Sequence, residues 1–388
     1  MNIDFHYYAT YCAAYIAGYS HRESLKIAYA SQLTDLCSKT FLKRIGGPAS
    51  AATTMLQLEL LDARTDLVGL QEITRIWASF HFLPGDLYAQ KKGCGRTYLN
   101  KYRLICNPNG ALLLDTVTQV KGRGLEAAGL AMHILADTWA HRYFAGTPSL
   151  VINNTNNYFF EIFPEIGPKE KRKIEFNHNP QTPDDPERSY YTNSVFQGKE
   201  NSVMNLGHGR AGHMPDYSFI RYRYLPGWDD YEEIIKDNPH DYMRAFCQMV
   251  DALRYLRGDL DTFETDRYDI VAVRPYMDRI NEILRKRQLD SCADWKALGE
   301  KISGETIEDF DLEKYIPEYR GAAKDEKDDT VIGRFILAAL AQKSMVTNRI
   351  FRSGNLLAGF SIDFGDKGFS GMRDYMSLVK RSGKEAGK

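Results

Sequence analysis

The spacing of apolar residues predicts a chain built mainly from α-helices. Apolar side chains recur at intervals of three and four residues, which is typical of helices that bury one face. We expect helices over residues 4–17, 20–35, 53–67, 69–80, 125–144, 241–257, 268–287, 292–302 and 328–348. Ser20 and Glu23 have capping-box spacing, which marks the start of the second helix. Strand patterns are few, so the predicted fold is a mainly α, multi-helix bundle.

Residues 147–207 depart from this pattern. Asparagine, proline and acidic residues accumulate there, most densely in Asn177–Pro186. We interpret the segment as a long irregular insertion, a feature that is often functional in a compact domain. The predicted organisation is a helical domain at 1–225 that carries this insertion, followed by a helical extension at 226–388 packed on the first domain.

Composition and charge narrow the protein class. Of the 388 residues, 43% are hydrophobic and 26% are charged, which is typical of a packed globular core. With a formal net charge of −1, the chain has no overall electrostatic attraction to nucleic acid or an anionic membrane. We see no signal peptide and no apolar run of about 18 residues that would span a membrane. The six scattered cysteines lack a CxxC pair and fit free thiols in a reducing compartment, so a cytoplasmic location is expected.

The most informative motif is His133-x-x-x-Asp137-x-x-x-His141 in the predicted helix 125–144. Residues four apart lie on one helix face, about 6 Å apart along the axis, so the two histidines are roughly 12 Å apart. They are too distant to bind one ion together, whereas a carboxylate between them can share ions with both. The spacing therefore predicts a multinuclear metal site with Asp137 near its centre.

The alternative is an ordinary buried polar stripe. One histidine on an amphipathic helix is more often a hydrogen-bonded core residue than a ligand. Here two histidines and an aspartate share one face among Leu130, Met132, Leu135 and Ala136. A buried carboxylate is costly unless it is paired or coordinates a metal, which favours metal binding.

Further candidate ligands are scattered along the first domain. They are Asp4, His6, Asp35, His81 and, in a glycine-rich turn, His208, His213 and Asp216. Asp4 has the alternative role of a helix N-cap, Asp35 that of a surface charge and His81 that of a structural residue. Pro215 and the glycines around His213 indicate a specific turn, and His208 is either a ligand or a hydrogen-bonding partner of one.

The order of these residues resembles the all-α zinc-dependent phospholipase C and single-strand-specific nuclease superfamily. Members hold three zinc ions with an N-terminal group and a histidine, an aspartate, a histidine, a His-x-x-x-Asp helix followed by a histidine, and a final histidine and acidic residue. The matching positions here are His6, Asp35, His81, His133, Asp137, His141, His213 and Asp216. The resemblance is a sparse motif over residues 4–216. The opening Asp-Phe-His-Tyr-Tyr-Ala-Thr-Tyr is also similar to an uncharacterised bacterial family.

Three departures separate the chain from that pattern. In the secreted relatives the mature amino terminus ligates zinc, whereas five residues precede His6 here, and Asp4 is the candidate substitute. His141 lies closer to Asp137 than the family spacing. The final pair is His-x-x-Asp instead of His-x-x-x-acid, which makes His208 the alternative to His213.

The resemblance implies a metal-dependent phosphoesterase, expected to be a phosphodiesterase that uses a zinc-activated water. Up to three zinc ions are expected as cofactors, with Asp137 and Asp35 as the catalytic carboxylates. Arg221 and Arg223 are candidates to clamp a substrate phosphate, although an exposed charged segment explains them equally well.

The sequence leaves the substrate and the function class open. A nuclease would stack bases on aromatic side chains such as those in Ser189–Tyr191, and a phospholipase would need an apolar rim such as Tyr158–Phe163. A non-catalytic, metal-stabilised binding or scaffold protein is the alternative. A third hypothesis, an HD-type phosphohydrolase, would use His240 and Asp241, which more simply begin a helix after Pro239.

Overall fold

The computed structural model describes residues 1–149, 151–156, 158–164, 166–167, 170–177, 179, 181–193 and 206–359. Helices hold 53% of the described residues and strands 8%, which confirms the predicted mainly α class. A π-helical turn at Asp4–Ala9 leads directly into the first helix. The helices are α1 Thr10–Ile16, α2 His21–Leu36, α3 Lys39–Ile45, α4 Gln57–Ala63, α5 Leu67–Phe80, α6 Arg96–Tyr102, α7 Ala111–Gln119, α8 Leu125–Ala140, α9 Asn238–Arg257, α10 Ile270–Val273, α11 Met277–Arg285, α12 Cys292–Ser303, α13 Ile316–Gly321 and α14 Val331–Arg352.

Local sequence signals explain where several helices begin and end. Ser20 and Glu23 form the predicted capping box at the start of α2. The predicted helix at 268–287 is instead α10 and α11, separated by a 3-10 turn that contains Pro275. Proline lacks the backbone N–H and its ring crowds the preceding turn, so one continuous helix is disfavoured there.

The predicted insertion contributes four of the six strands found among the described residues. The strands are β1 Phe160–Ile162, β2 Lys171–Lys173, β3 Glu175–Asn177, β4 Tyr190–Thr192, β5 Arg221–Tyr224 and β6 Ile234–Asp237. Four of them form an antiparallel sheet in the order β2-β1-β5-β6, and β3 pairs with β4 in parallel. The inner face of the larger sheet buries Tyr222 and Tyr224. The predicted irregular excursion is therefore partly ordered as strands, although its residues 194–205 lie outside the described part of the chain.

The helix α8 is the centre of the bundle. Every residue from Glu126 to Ala140 is buried, so this helix is enclosed by protein on all sides. It packs against α2, α9 and α14. The Glu126 carboxylate accepts two hydrogen bonds from Arg334 of α14, at 3.0 and 2.9 Å, and the Trp139 indole donates to Gln248 of α9 at 2.8 Å.

The two predicted segments share one hydrophobic core. That core includes residues from the first turn of the chain through α8, α9 and α14 to Ala358. The predicted boundary at residue 225 falls between β5 and β6, which pair with each other in the antiparallel sheet. Among the described residues, no helix is both long and apolar enough to cross a membrane.

The close approach of α8 and α2 yields a stability prediction. A Cβ atom at Gly129 would lie 2.2 Å from the Ile27 carbonyl oxygen and 2.7 Å from Ala30 Cβ. We expect Gly129→Ala to lower the free energy of unfolding by about 1–3 kcal/mol, because the helices must move apart in a close-packed core. Urea denaturation measures the change.

Gly321→Ala in α13 is the matched control, since a Cβ there meets nothing within 4 Å. It should be neutral or slightly stabilising. Equal losses in the two variants would contradict the packing argument.

Candidate metal site

Five separate parts of the chain bring histidines and carboxylates to the side of α8. The π-helical turn places His6, the last turn of α2 places Asp35, and His81 follows the end of α5. Helix α8 contributes His133 and Asp137, and His141 is its C-terminal cap residue. The turn before β5 adds His208 and Asp216. The sequence-predicted ligands are therefore brought together from positions more than 200 residues apart.

Among the described residues these side chains form three groups with ligand atoms close enough to hold one ion each. The groups are His6, His133 and Asp137; Asp35, His81 and His133; and His141, His208 and Asp216, and within each the ligand atoms lie within 4.8 Å of one another. His133 belongs to two groups, whereas the third group shares no residue with the others. The imidazole and carboxylate donors suit zinc and similar divalent ions.

The Asp137 carboxylate lies at the centre of these groups and is only 1% exposed. Its Oδ2 is 3.1 Å from His81 Nδ1, 3.2 Å from His133 Nε2 and 3.5 Å from His141 Nδ1. Its Oδ1 is 3.2 Å from His6 Nε2. Burial raises the pKa of Asp137, but the facing His141 ring, the chain's amino group and His133 hold it well below its usual range. The carboxylate is therefore ionised at neutral pH.

Backbone carbonyls orient three of the histidines. His81 Nε2 lies 3.1 Å from the Thr53 carbonyl oxygen, His141 Nδ1 lies 2.6 Å from that of His81, and His208 Nδ1 lies 2.6 Å from that of Gly212. A carbonyl oxygen can only accept, so each of these ring nitrogens carries a proton and donates. The same contacts fix which nitrogen of each ring points into the site.

The second nitrogen of each of these rings faces a carboxylate. His81 Nδ1 faces Asp137 at 3.1 Å, His141 Nε2 faces Asp216 at 3.0 Å, and His208 Nε2 faces Asp216 at 3.5 Å. Burial lowers the pKa of His208 to about 4, so its ring is neutral at pH 7. A lone pair opposite a carboxylate is the arrangement that a cation between the two would stabilise.

His6 has the least satisfied polar side chain of the site. It is fully buried, and neither of its ring nitrogens makes a hydrogen bond to a described residue. Burial, the stacked His133 ring and the nearby amino group lower the pKa of His6 to about 4, which keeps it neutral. A buried polar atom without a hydrogen-bond partner costs free energy. A metal ion that accepted the lone pair of this ring would remove that cost.

The amino group of Met1 completes the inner site. Its nitrogen lies 2.7 Å from Asp137 Oδ1 and 3.2 Å from Asp216 Oδ1, and so connects two of the groups. Although burial lowers the pKa of this amino group, the surrounding carboxylates raise it to about 11. It therefore neutralises part of the buried negative charge. Sequence analysis instead predicts Asp4 as the substitute for an amino-terminal ligand, because five residues precede His6.

Asp35 and His213 lie at the solvent side of the site. The Asp35 side chain is 28% exposed, with Oδ1 at 3.8 Å from both His81 Nδ1 and His133 Nε2. The His213 side chain is 63% exposed and lies 3.7 Å from Asp216. His208, the alternative that the altered spacing suggested, is the histidine that joins His141 and Asp216. Asp35 is thus the ligand candidate most open to a substrate.

Besides His213, three predicted site residues lie outside the groups. The Asp4 carboxylate accepts hydrogen bonds from Ser291, at the start of α12. Arg221 pairs with Asp237 at 2.9 Å and Arg223 with Glu233 at 3.1 Å. The arginines alternate along β5 with the buried tyrosines, so they project from the outer face of the sheet. On that face the two arginines contact carboxylates. The alternation of side chains along a strand explains why they lie on the face opposite the buried tyrosines.

Sequence reasoning missed the groups that orient the ligands. The carbonyl oxygens of Thr53, His81 and Gly212 and the Met1 amino group carry no side-chain signature, because every residue has a carbonyl and every chain has a first nitrogen. The HD dipeptide lies elsewhere: Asp241 pairs with Lys236 at 2.8 Å, and the side chain of His240 is 62% exposed.

His6 lacks the hydrogen bonds that His141 makes. We therefore expect substitution of the two histidines to change the free energy of unfolding in opposite directions when a chelator such as EDTA is present. His6→Leu should leave the free energy of unfolding unchanged or raise it by up to about 1–3 kcal/mol, because it removes an unpartnered buried polar group. His141→Leu should lower it by a similar amount, since the His81 carbonyl and Asp216 lose their partner. Urea denaturation at pH 7 tests both, and a loss for His6→Leu as large as for His141→Leu would refute the interpretation of His6.

Comparison with known proteins shows the family. No curated protein and no solved structure matches the chain. Neither comparison links it to the zinc-dependent phospholipase C and nuclease superfamily, so that resemblance rests on the order of the ligand residues alone. The profile of a family of unknown function, DUF6765, matches residues 1–350, which include every residue of the three groups. The predicted membership in an uncharacterised family is confirmed at this level: the chain belongs to the DUF6765 family.

Proposed function

We propose that this protein is a metal-dependent hydrolase of phosphate esters, and specifically a phosphodiesterase. The observation that supports it best is the set of histidines whose outer nitrogens donate to backbone carbonyls while their inner nitrogens face Asp137 or Asp216. Histidine ligands of metals are generally oriented in this way.

The residues that would hold zinc are the members of the three groups. In such sites bound zinc lowers the pKa of a water toward neutrality and polarises a phosphoryl oxygen. Asp137 would act mainly by position, because both of its oxygens already face several nitrogens. Asp35 is the carboxylate with solvent access and is placed to accept a proton from a water or to orient it.

Charge favours an anionic substrate at this position. The Asp137 and Asp216 carboxylates are ionised, and the buried ammonium offsets one of them. Divalent ions in the three groups would make the centre positive and attract a phosphate. Most of the ligand shell is buried, so the reacting group would be largely shielded from bulk water.

The structure limits two of the suggested recognition surfaces. Tyr191 is fully buried and its hydroxyl donates to Glu161, so its ring is not available to a base. Phe159 is also buried, whereas Tyr158 and Phe160 remain partly exposed. Phe160 lies under the Lys171 ammonium, 4.9 Å from the ring centre. The proposal therefore names the phosphodiester group, with phospholipid and nucleic acid as the two classes to test.

A non-catalytic metal-stabilised scaffold is the second candidate function. Deep burial favours it, since only Asp35 among the five residues of the first two groups is substantially exposed. A scaffold would bind metal and gain stability from it without turning over any ester.

Zinc titration combined with a hydrolysis assay separates these functions. The chain should bind zinc, and hydrolysis of bis-p-nitrophenyl phosphate should appear on zinc addition and disappear with EDTA. Asp35→Asn should lower kcat/KM by at least about 100-fold, because the solvent-facing carboxylate is lost. Single-stranded DNA and phosphatidylcholine vesicles then distinguish the substrate classes.

Asp259→Asn is the matched control, since its side chain is 27% exposed and pairs with Arg257 away from the site. It should keep full activity. Zinc binding without hydrolysis of any of the three substrates would support the scaffold, and the absence of zinc binding would refute both functions.

A further inference from the structure

Three buried residues at the junction of β6 and α9 contact the site's supporting backbone from the predicted extension. Lys236 is 1% exposed, Asn238 is 0% exposed and Tyr242 is 1% exposed. The sequence gives them no chemical motif. They lie in the segment after residue 225, to which sequence analysis assigned no role in the site.

Asn238 fixes the turn that carries Asp216. Its Nδ2 lies 2.9 Å from the Met214 carbonyl oxygen, 2.8 Å from that of Tyr217 and 3.4 Å from that of Pro215. The carbonyls on both sides of Asp216 are therefore held by one amide. Tyr242 adds a second anchor, because its hydroxyl donates to the Pro215 carbonyl at 3.1 Å.

Lys236 fixes the other side of the same group. Its Nζ donates to the Trp139 carbonyl at 2.8 Å, in the last turn of α8, and pairs with Asp241 at 2.8 Å. The last carbonyls of a helix have no partner within the helix, and a cation is favourable at that end. His141 is the residue that caps this helix end. One junction thus holds the backbone beside His141 and the backbone around Asp216.

We propose that Lys236, Asn238 and Tyr242 are positioning residues for the His141–His208–Asp216 group, and that they set the metal affinity of this group in particular. The inference rests on the proposed metal-binding function. The geometry supports it because His141 Nε2 and Asp216 Oδ1 lie 3.0 Å apart on two separate elements that these residues join. The other two groups draw their ligands from the π-helical turn, α2, α5 and α8, whereas the Asn238 amide and the Tyr242 hydroxyl donate to the turn that carries Asp216.

We expect loss of these contacts to weaken one metal-binding group and not the others. Loss of the Asn238 amide or the Tyr242 hydroxyl frees the turn at Asp216 while leaving His6, His81 and His133 in place. Partners that orient metal ligands typically contribute about 10–100-fold to metal affinity. We therefore expect one equivalent of metal to bind more weakly by this factor and the others to bind unchanged.

Metal titration of the full chain tests the proposal, with Zn²⁺ stoichiometry by elemental analysis and Co²⁺ followed by its visible absorption. Asn238→Ala and Tyr242→Phe should each lose or weaken one equivalent and one component of the cobalt spectrum. Tyr242→Phe keeps the ring that packs against Phe5 at 5.0 Å between ring centres, so this variant guards against a simple folding failure.

Asn355→Ala is the matched control. Asn355 is also fully buried, and its amide donates to the Asn100 carbonyl far from the ligand groups. It should bind metal as the unmodified chain does. A general loss of stability would weaken every equivalent and leave the cobalt spectrum of the bound ions unchanged in shape.

The outcomes separate this proposal from the proposed function. Unchanged titrations of Asn238→Ala and Tyr242→Phe, or equal weakening of every equivalent, would overturn the positioning role while the metal site stands. An unmodified chain that binds neither Zn²⁺ nor Co²⁺ would overturn both.

Discussion

The structure depends on one desolvated carboxylate. Asp137 lies in the last turn of a helix that is buried on every side, where an uncompensated charge would be very costly. Its two oxygens face four histidines and the amino group of Met1 at 2.7–3.5 Å. The elements that carry these partners, from the first turn of the chain to the end of α5, must pack against α8 for the charge to be compensated. The position of the ligand groups and the stability of the bundle are therefore linked.

Backbone groups around the polar centre orient its histidine side chains. Backbone carbonyls of Thr53, His81 and Gly212 each hold one histidine nitrogen, and this determines which nitrogen faces inward. The unpartnered ring of His6 makes this centre less stable than a fully hydrogen-bonded one would be. Proteins commonly accept such a cost where a ligand or a reaction requires it. In this chain the unpartnered residue, His6, belongs to one of the three groups that would bind metal.

Residues of the C-terminal half also hold this centre in place. Arg334 holds the start of α8 through Glu126, and Lys236 holds its end through the Trp139 carbonyl. Asn238 and Tyr242 then hold the turn that carries Asp216. The central helix is thus fixed at both ends by residues that lie more than 90 positions after it. Arg221 and Arg223, by contrast, pair with carboxylates on the outer face of the sheet.

The sequence alone determined the helical class, the capping box at Ser20 and the stripe of His133, Asp137 and His141, because each depends on residues within one or two turns. It also indicated His6, Asp35, His81 and Asp216, through their order along the chain. Tertiary structure decided the rest. It placed His208 instead of His213 beside His141, brought the Met1 amino group to Asp137 and left Asp4 with Ser291. These outcomes depend on backbone groups and on contacts between distant segments, which have no local pattern that a sequence could display.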